Sequence, residues 1–221
     1  MSRSFLDMAH EVKHRNPTTE LEKLLREYAW ADSNHVLDLV LDNWPVLQKA
    51  GLLEEAFVDA WGAQKWGCPN WTPAFCRAIL AKLDRAAMLR TGDPLPPGDS
   101  FIVYRGVAGI GAKRRVRGYS WSADEGIAKR FAELRANRFG LPNPAVYSAV
   151  IQKEDILTFI DGSNREEREF LLLPHKLSKL RRVWRKSIPK HVTELSPLPL
   201  PLHVRPLPTS WAAMSLPSSH H

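Results

Sequence analysis

Apolar positions recur at helical spacing up to about residue 90 and at strand spacing beyond it. After Pro17, Thr19 and Glu22 form a capping-box pattern, and Leu21, Leu24, Leu25 and Tyr28 follow on one helix face. Ser33 and Asn34 mark the next N-cap, ahead of Val36, Leu37, Val40 and Leu41, and Pro45 should interrupt that helix. A third helix is predicted from about Leu52 to Gln64, burying Leu53, Phe57 and Trp61. Thr72-Pro73 opens a fourth, running to about Leu89 over Phe75, Ile79, Leu80, Leu83 and Ala87. Residues 1–16 read as a loose arm or one short helix.

The run T-G-D-P-L-P-P-G-D-S at residues 91–100 breaks every period and marks a subdomain boundary. Strands are predicted at Phe101–Val107, Val116–Trp121, Ala145–Gln152, Ile156–Ile160 and Phe170–Leu173, with an edge strand over Leu180–Ser187. An amphipathic helix from Ala123 to about Arg138, capped by Asp124 or Ser122, turns Ile127, Phe131 and Leu134 inward. From Pro189 onward prolines and serines replace the apolar periods, and L-S-P-L-P-L-P-L suits a disordered or extended tail, or a proline-rich ligand. The expected organisation is a helical subdomain over residues 1–92, an α+β core over 93–188 and a tail over 189–221.

Composition narrows the partners. The 221 residues carry a formal charge of +7, which favours a phosphate-bearing ligand, nucleic acid or an acidic protein. No apolar run reaches membrane-spanning length, and the charged N-terminus lacks a signal-peptide core, so a cytoplasmic protein is expected, in its own or a target cell. Cys68 and Cys76 match no zinc spacing and read as buried thiols. His10 and His14 are four residues apart without the rest of a metal motif, so no metal is expected. Trp30, Trp44, Trp61, Trp66 and Trp71 read as fillers of a small helical core, or else as a base-stacking surface.

Three polar clusters punctuate the strands. Arg105 lies in F-I-V-Y-R-G-V, Ser120 and Ser122 in G-Y-S-W-S-A-D, and Glu166, Glu167 and Glu169 in S-N-R-E-E-R-E-F-L-L-L-P. Each alone has a plain use: an edge cation, a turn and cap, a solvated face. In this order, with a helix after the serines and an apolar strand after Glu169, they resemble the arginine–serine–glutamate class of mono-ADP-ribosyltransferases, among them bacterial and phage toxins and modifiers. The similarity covers about residues 100–188. Trp121 departs from it, standing where a small hydroxyl residue is commoner, and strand alternation should point it away from Ser120.

The resemblance implies a core of two small packed mixed sheets with NAD, a substrate, in the cleft, and transfer of one ADP-ribose to a protein side chain, with arginine the implied acceptor. It assigns Glu169 to the ribose hydroxyl and the charge that develops as nicotinamide departs. Glu167, two residues earlier on an extended backbone, would take the proton of the incoming nucleophile. Arg105 would hold the diphosphate, with Gly106 beside it, and Ser120 would orient Glu169 or the ribose. Ser122 would bind NAD or merely cap the next helix, and Glu166 would be a solvated neighbour. The same residues would serve an NAD glycohydrolase with water as nucleophile. The charge and the tryptophans would also suit a basic nucleic-acid-binding module. The run Lys113, Arg114, Arg115 and Arg117 would grip phosphates, acidic protein or RNA, or be a wet loop.

Overall fold

The computed structural model describes residues 4–63, 73–161 and 167–186. Glu166, Cys68, Trp66, Trp71, the Thr72 cap and the proline-rich tail lie outside these residues. The described chain divides into two compact units between Ala78 and Ile79, earlier than the turn-rich stretch at 91–100.

The first unit is helical: α1 (Phe5–Val12), α2 (Glu20–Trp30), α3 (Val36–Asp42), α4 (Trp44–Ala50) and α5 (Leu53–Ala63), with α6 (Pro73–Leu80) crossing the division. The box of Thr19 and Glu22 caps α2, and Pro45 stands in the first turn of α4. Ser33 and Asn34 do not cap α3; they lie in a turn that Asp32 closes by accepting from the Asn34 N–H at 2.8 Å. Leu25, Leu37, Val40, Leu47, Ala56 and Phe57 are buried. Of the tryptophans, Trp61 is buried, but Trp30 is 61% exposed, its ring 4.4 Å under the Lys13 ammonium. Trp30 is therefore not core.

Tyr28 packs edge-on to Phe5 and donates its hydroxyl proton to Asp59. Burial holds the Asp59 carboxyl above its ordinary range, against the lowering effect of that hydrogen bond. A carboxyl raised in the folded state binds its proton more tightly there than in the unfolded chain. Its contribution to stability is full below the unfolded value and is lost as pH rises through the folded one. Asp59→Asn keeps an acceptor for Tyr28 and should flatten this pH dependence in thermal melts. Tyr28→Phe removes the donor and should cost about 1–2 kcal/mol at neutral pH.

The second unit holds α7 (Arg85–Thr91), α8 (Glu125–Phe139) and strands β1 (Ser100–Val107), β2 (Ser120–Ser122), β3 (Ala145–Gln152), β4 (Ile156–Ile160), β5 (Glu169–Leu172) and β6 (Ser178–Arg185). The one long helix expected to run to Leu89 is broken, because Asp84 caps a new start by accepting from the Ala87 N–H at 2.9 Å. The new helix, α7, belongs with the sheet. Arg85 donates to the Ile156 and Lys153 carbonyls, both at 2.8 Å, and Thr158 donates to the Met88 carbonyl at 3.0 Å.

The six strands form one antiparallel sheet in the order β4-β5-β2-β1-β3-β6, so the expectation of two mixed sheets is corrected. The sheet is nevertheless pinched. β1 pairs with β3 along its whole length, whereas β1 and β2 share the single register pair Tyr104↔Ser122. The strand expected over Val116–Trp121 shortens to Ser120–Ser122. One face packs Val103, Trp121, Ala149, Ile151, Phe159, Phe170 and Leu172 into a core. α8 lies close on β1 because Gly106 has no side chain: a Cβ there would stand 1.8 Å from the Ala128 carbonyl oxygen. Ala128 and Ala132 therefore face the strand, and Leu134, expected inward, is 48% exposed. Among the described residues no helix is long and apolar enough to cross a membrane.

Candidate active site

The pinch between β1 and β2 brings the three polar clusters together. In the β2–β5 ladder, the N–H of Leu172 donates to the Tyr119 carbonyl and the N–H of Ala123 donates to the Arg168 carbonyl, both at 2.9 Å. Antiparallel pairs alternate, so Ser122↔Glu169 and Ser120↔Leu171 are the close, non-hydrogen-bonded pairs. Ser122 and Glu169 thus face each other with Cβ atoms about 4.5–5.5 Å apart. Both are buried, Glu169 at 9% exposure.

The same alternation turns the backbone groups of Ser120 towards β1. Continued pairing would set Ser120 opposite Gly106, but the ladder stops at Tyr104↔Ser122. The side chain of Arg105 fills the place. Its guanidinium donates through Nη1 to the Ser120 carbonyl and through Nε to the Arg115 carbonyl at 3.3 Å. One wall is Gly118, where a Cβ would stand 2.2 Å from the Arg105 Cζ. Gly118 is fixed in turn, its carbonyl accepting the Trp121 indole N–H at 2.9 Å. Trp121 points away from the serines, as alternation requires, and is 1% exposed.

Burial pushes the Arg105 guanidinium down to about 10; Arg135 and Arg115 push the same way, and the Glu169 carboxylate opposes them. Arg105 remains a cation at neutral pH. Burial also lowers Arg135, with Arg115 adding to the effect. Arg115 and Arg135 thus act on Arg105 in the same sense as burial, and the Glu169 carboxylate acts against them. Arg115 lies in the basic run noted in the sequence, whereas Arg135 was missed. Its signal was present: Ala128, Ala132 and Arg135 follow at i, i+4 and i+7, which puts a cation on the sheet-facing stripe of α8.

Ser122 ties β2 to the loop before β5. Its hydroxyl donates to the Glu167 carbonyl at 2.7 Å and accepts the Asp124 N–H at 3.0 Å, while Asp124 itself caps α8. Ser120 is half-buried, and its hydroxyl has no hydrogen-bond partner among the described residues. Gly106 is buried beneath α8, but as an even-numbered β1 residue it turns its backbone groups towards the gap. Glu167 is half-buried and precedes the strand. Arg168 between the glutamates adopts φ 45°, so the alternation expected to place Glu167 and Glu169 on one side does not hold. A left-handed arginine costs about 1–2 kcal/mol, and such strain concentrates at functional sites.

The chain matches no family model, no curated protein and no solved structure. What the site can do rests on its own geometry: a buried carboxylate facing a serine across a ladder, beside the place where β1 and β2 part and the Arg105 guanidinium is seated. That arrangement offers one fixed cation and one buried carboxylate side by side.

Proposed function

We propose that the chain is an NAD-dependent mono-ADP-ribosyltransferase of the arginine–serine–glutamate kind, modifying a protein side chain. The observation that carries this reading is the juxtaposition of Glu169, Ser122 and Arg105 where β1 and β2 part. In the reaction the bond from ribose C1′ to nicotinamide breaks and its electron pair leaves with nicotinamide. Positive charge grows on the ribose, and a fixed carboxylate at Glu169 stabilises that state more than the substrate. Arg105, Arg115 and Arg135 supply cations for the diphosphate. The backbone of Gly106 offers hydrogen bonds in the gap to the nicotinamide amide, and the Ser120 hydroxyl is left to meet the ribose. The acceptor nitrogen then bonds to C1′ and passes its proton to the Glu167 carboxylate.

Hydrolysis of NAD is the second reading, favoured by the position of Glu167 outside the strand. Labelled NAD and mass spectrometry of acceptor proteins separate the two. Transfer leaves a modified side chain, whereas hydrolysis leaves free ADP-ribose only. Glu167→Gln should lower transfer by about 10²-fold and leave the slow hydrolysis in place. Equal loss of both would remove Glu167 from the acceptor side.

A further inference from the structure

Charge is divided unevenly along the chain. Residues 79–221 hold 23 of the 31 Lys and Arg but 13 of the 24 Asp and Glu, which leaves the first 78 residues net acidic. Within the second unit several arginines gather at the end of the sheet where Ala145 and Tyr147 lie. Register sets Tyr147 on β3 opposite Arg105 on one side and Arg182 on the other, so these three share a face. Arg114 reaches over β3, donating to the Asn143 carbonyl at 2.6 Å and to the Tyr147 hydroxyl at 3.4 Å. Arg185 donates to the Asn143 side-chain oxygen at 3.1 Å. A track of guanidinium groups thus runs from the gap across β3 to β6, which is the edge of the sheet.

Two features separate this track from ordinary edge protection by charge. Arg114, Arg115, Arg182 and Arg185 form no ion pair among the described residues, while the neighbouring Lys186 and Lys176 do. Arg114 and Arg185 are also held in place by Asn143, so part of the charge is preorganised rather than free to wander. An acidic protein partner would need an apolar centre to its interface. On β6 the only large apolar side chain among the strongly exposed ones is Val183. A polar, strongly positive surface rich in arginine fits a phosphodiester backbone instead.

We infer that the β6 edge and the loop carrying Arg114 and Arg115 bind a nucleic-acid strand along its phosphates. The inference goes beyond the transferase reading and does not depend on turnover. Fluorescence anisotropy of a labelled single-stranded RNA, titrated with the full chain at several salt concentrations, tests it. Affinity should fall with salt, with a slope of about −0.7 per phosphate contact. The double variant Arg182→Glu with Arg185→Glu, shown by thermal melting to fold, should bind at least about 10-fold more weakly with a shallower slope. Glu169→Gln should bind as the wild type does, so loss of catalysis and loss of binding are told apart. Salt-independent binding, or an unchanged affinity in the double variant, overturns the inference. So does displacement of the RNA by poly-glutamate at equal charge concentration, which would point to an acidic protein.

Discussion

Replacement of Glu169 by glutamine should abolish NAD turnover while leaving the fold in place, with a loss of about 10³-fold in rate. The reason is electrostatic. Glutamine preserves the shape that faces Ser122 across the β2–β5 ladder, but it removes the charge. What is lost is an interaction that strengthens only as the ribose becomes cationic, so the effect belongs in kcat rather than in KM. A factor of 10³ corresponds to about 4 kcal/mol of transition-state stabilisation. Release of nicotinamide under saturating NAD measures it, with a thermal melt as the control for folding. An activity within tenfold of the wild type would take Glu169 out of the chemistry, and with it the transferase reading.

The sequence carried the local rules well. The cap at Thr19, the cap at Asp124 and the alternation of F-I-V-Y-R-G-V each depend on a few neighbouring residues, and each element forms as its residues require. Other features depend on residues far apart. The arrest of the β1–β2 ladder after Tyr104↔Ser122 follows from a side chain, Arg105, taking the Ser120 carbonyl that backbone would otherwise take. No period in the sequence encodes that substitution, so the apolar pattern predicts a longer β2 than the Ser120–Ser122 that forms. The placement of Glu167 turns on the φ of Arg168, and a positive φ at an arginine has no compositional mark. The burial of Ala132 in place of Leu134 on α8 likewise follows from the missing side chain of Gly106, a partner on another element. The candidate residues were legible as types in order; how Arg105 is used was not.

Gly118→Ala should reduce NAD turnover by about 10²–10³-fold with little loss of stability, an effect expected of a catalytic substitution at a residue with no chemistry of its own. A Cβ at Gly118 would overlap the Arg105 guanidinium, at 2.2 Å from Cζ. One of the two must give way. Gly118 is held, because its carbonyl accepts the indole N–H of Trp121, itself buried in the core. Arg105 is the far end of a long side chain and moves at low cost, which is why the melting temperature should change little. Moved, it no longer holds the Ser120 carbonyl, and its cation leaves the gap. Arg105→Ala should produce a similar loss by removing the same group directly. The two substitutions act on one guanidinium, so the double variant should be no worse than Arg105→Ala alone, a non-additivity that a double-mutant cycle measures. Losses that multiplied would mean that Gly118 acts by some route other than Arg105. The cycle thus tests whether Gly118, held through its carbonyl by the Trp121 indole, is the wall against which the arginine is set.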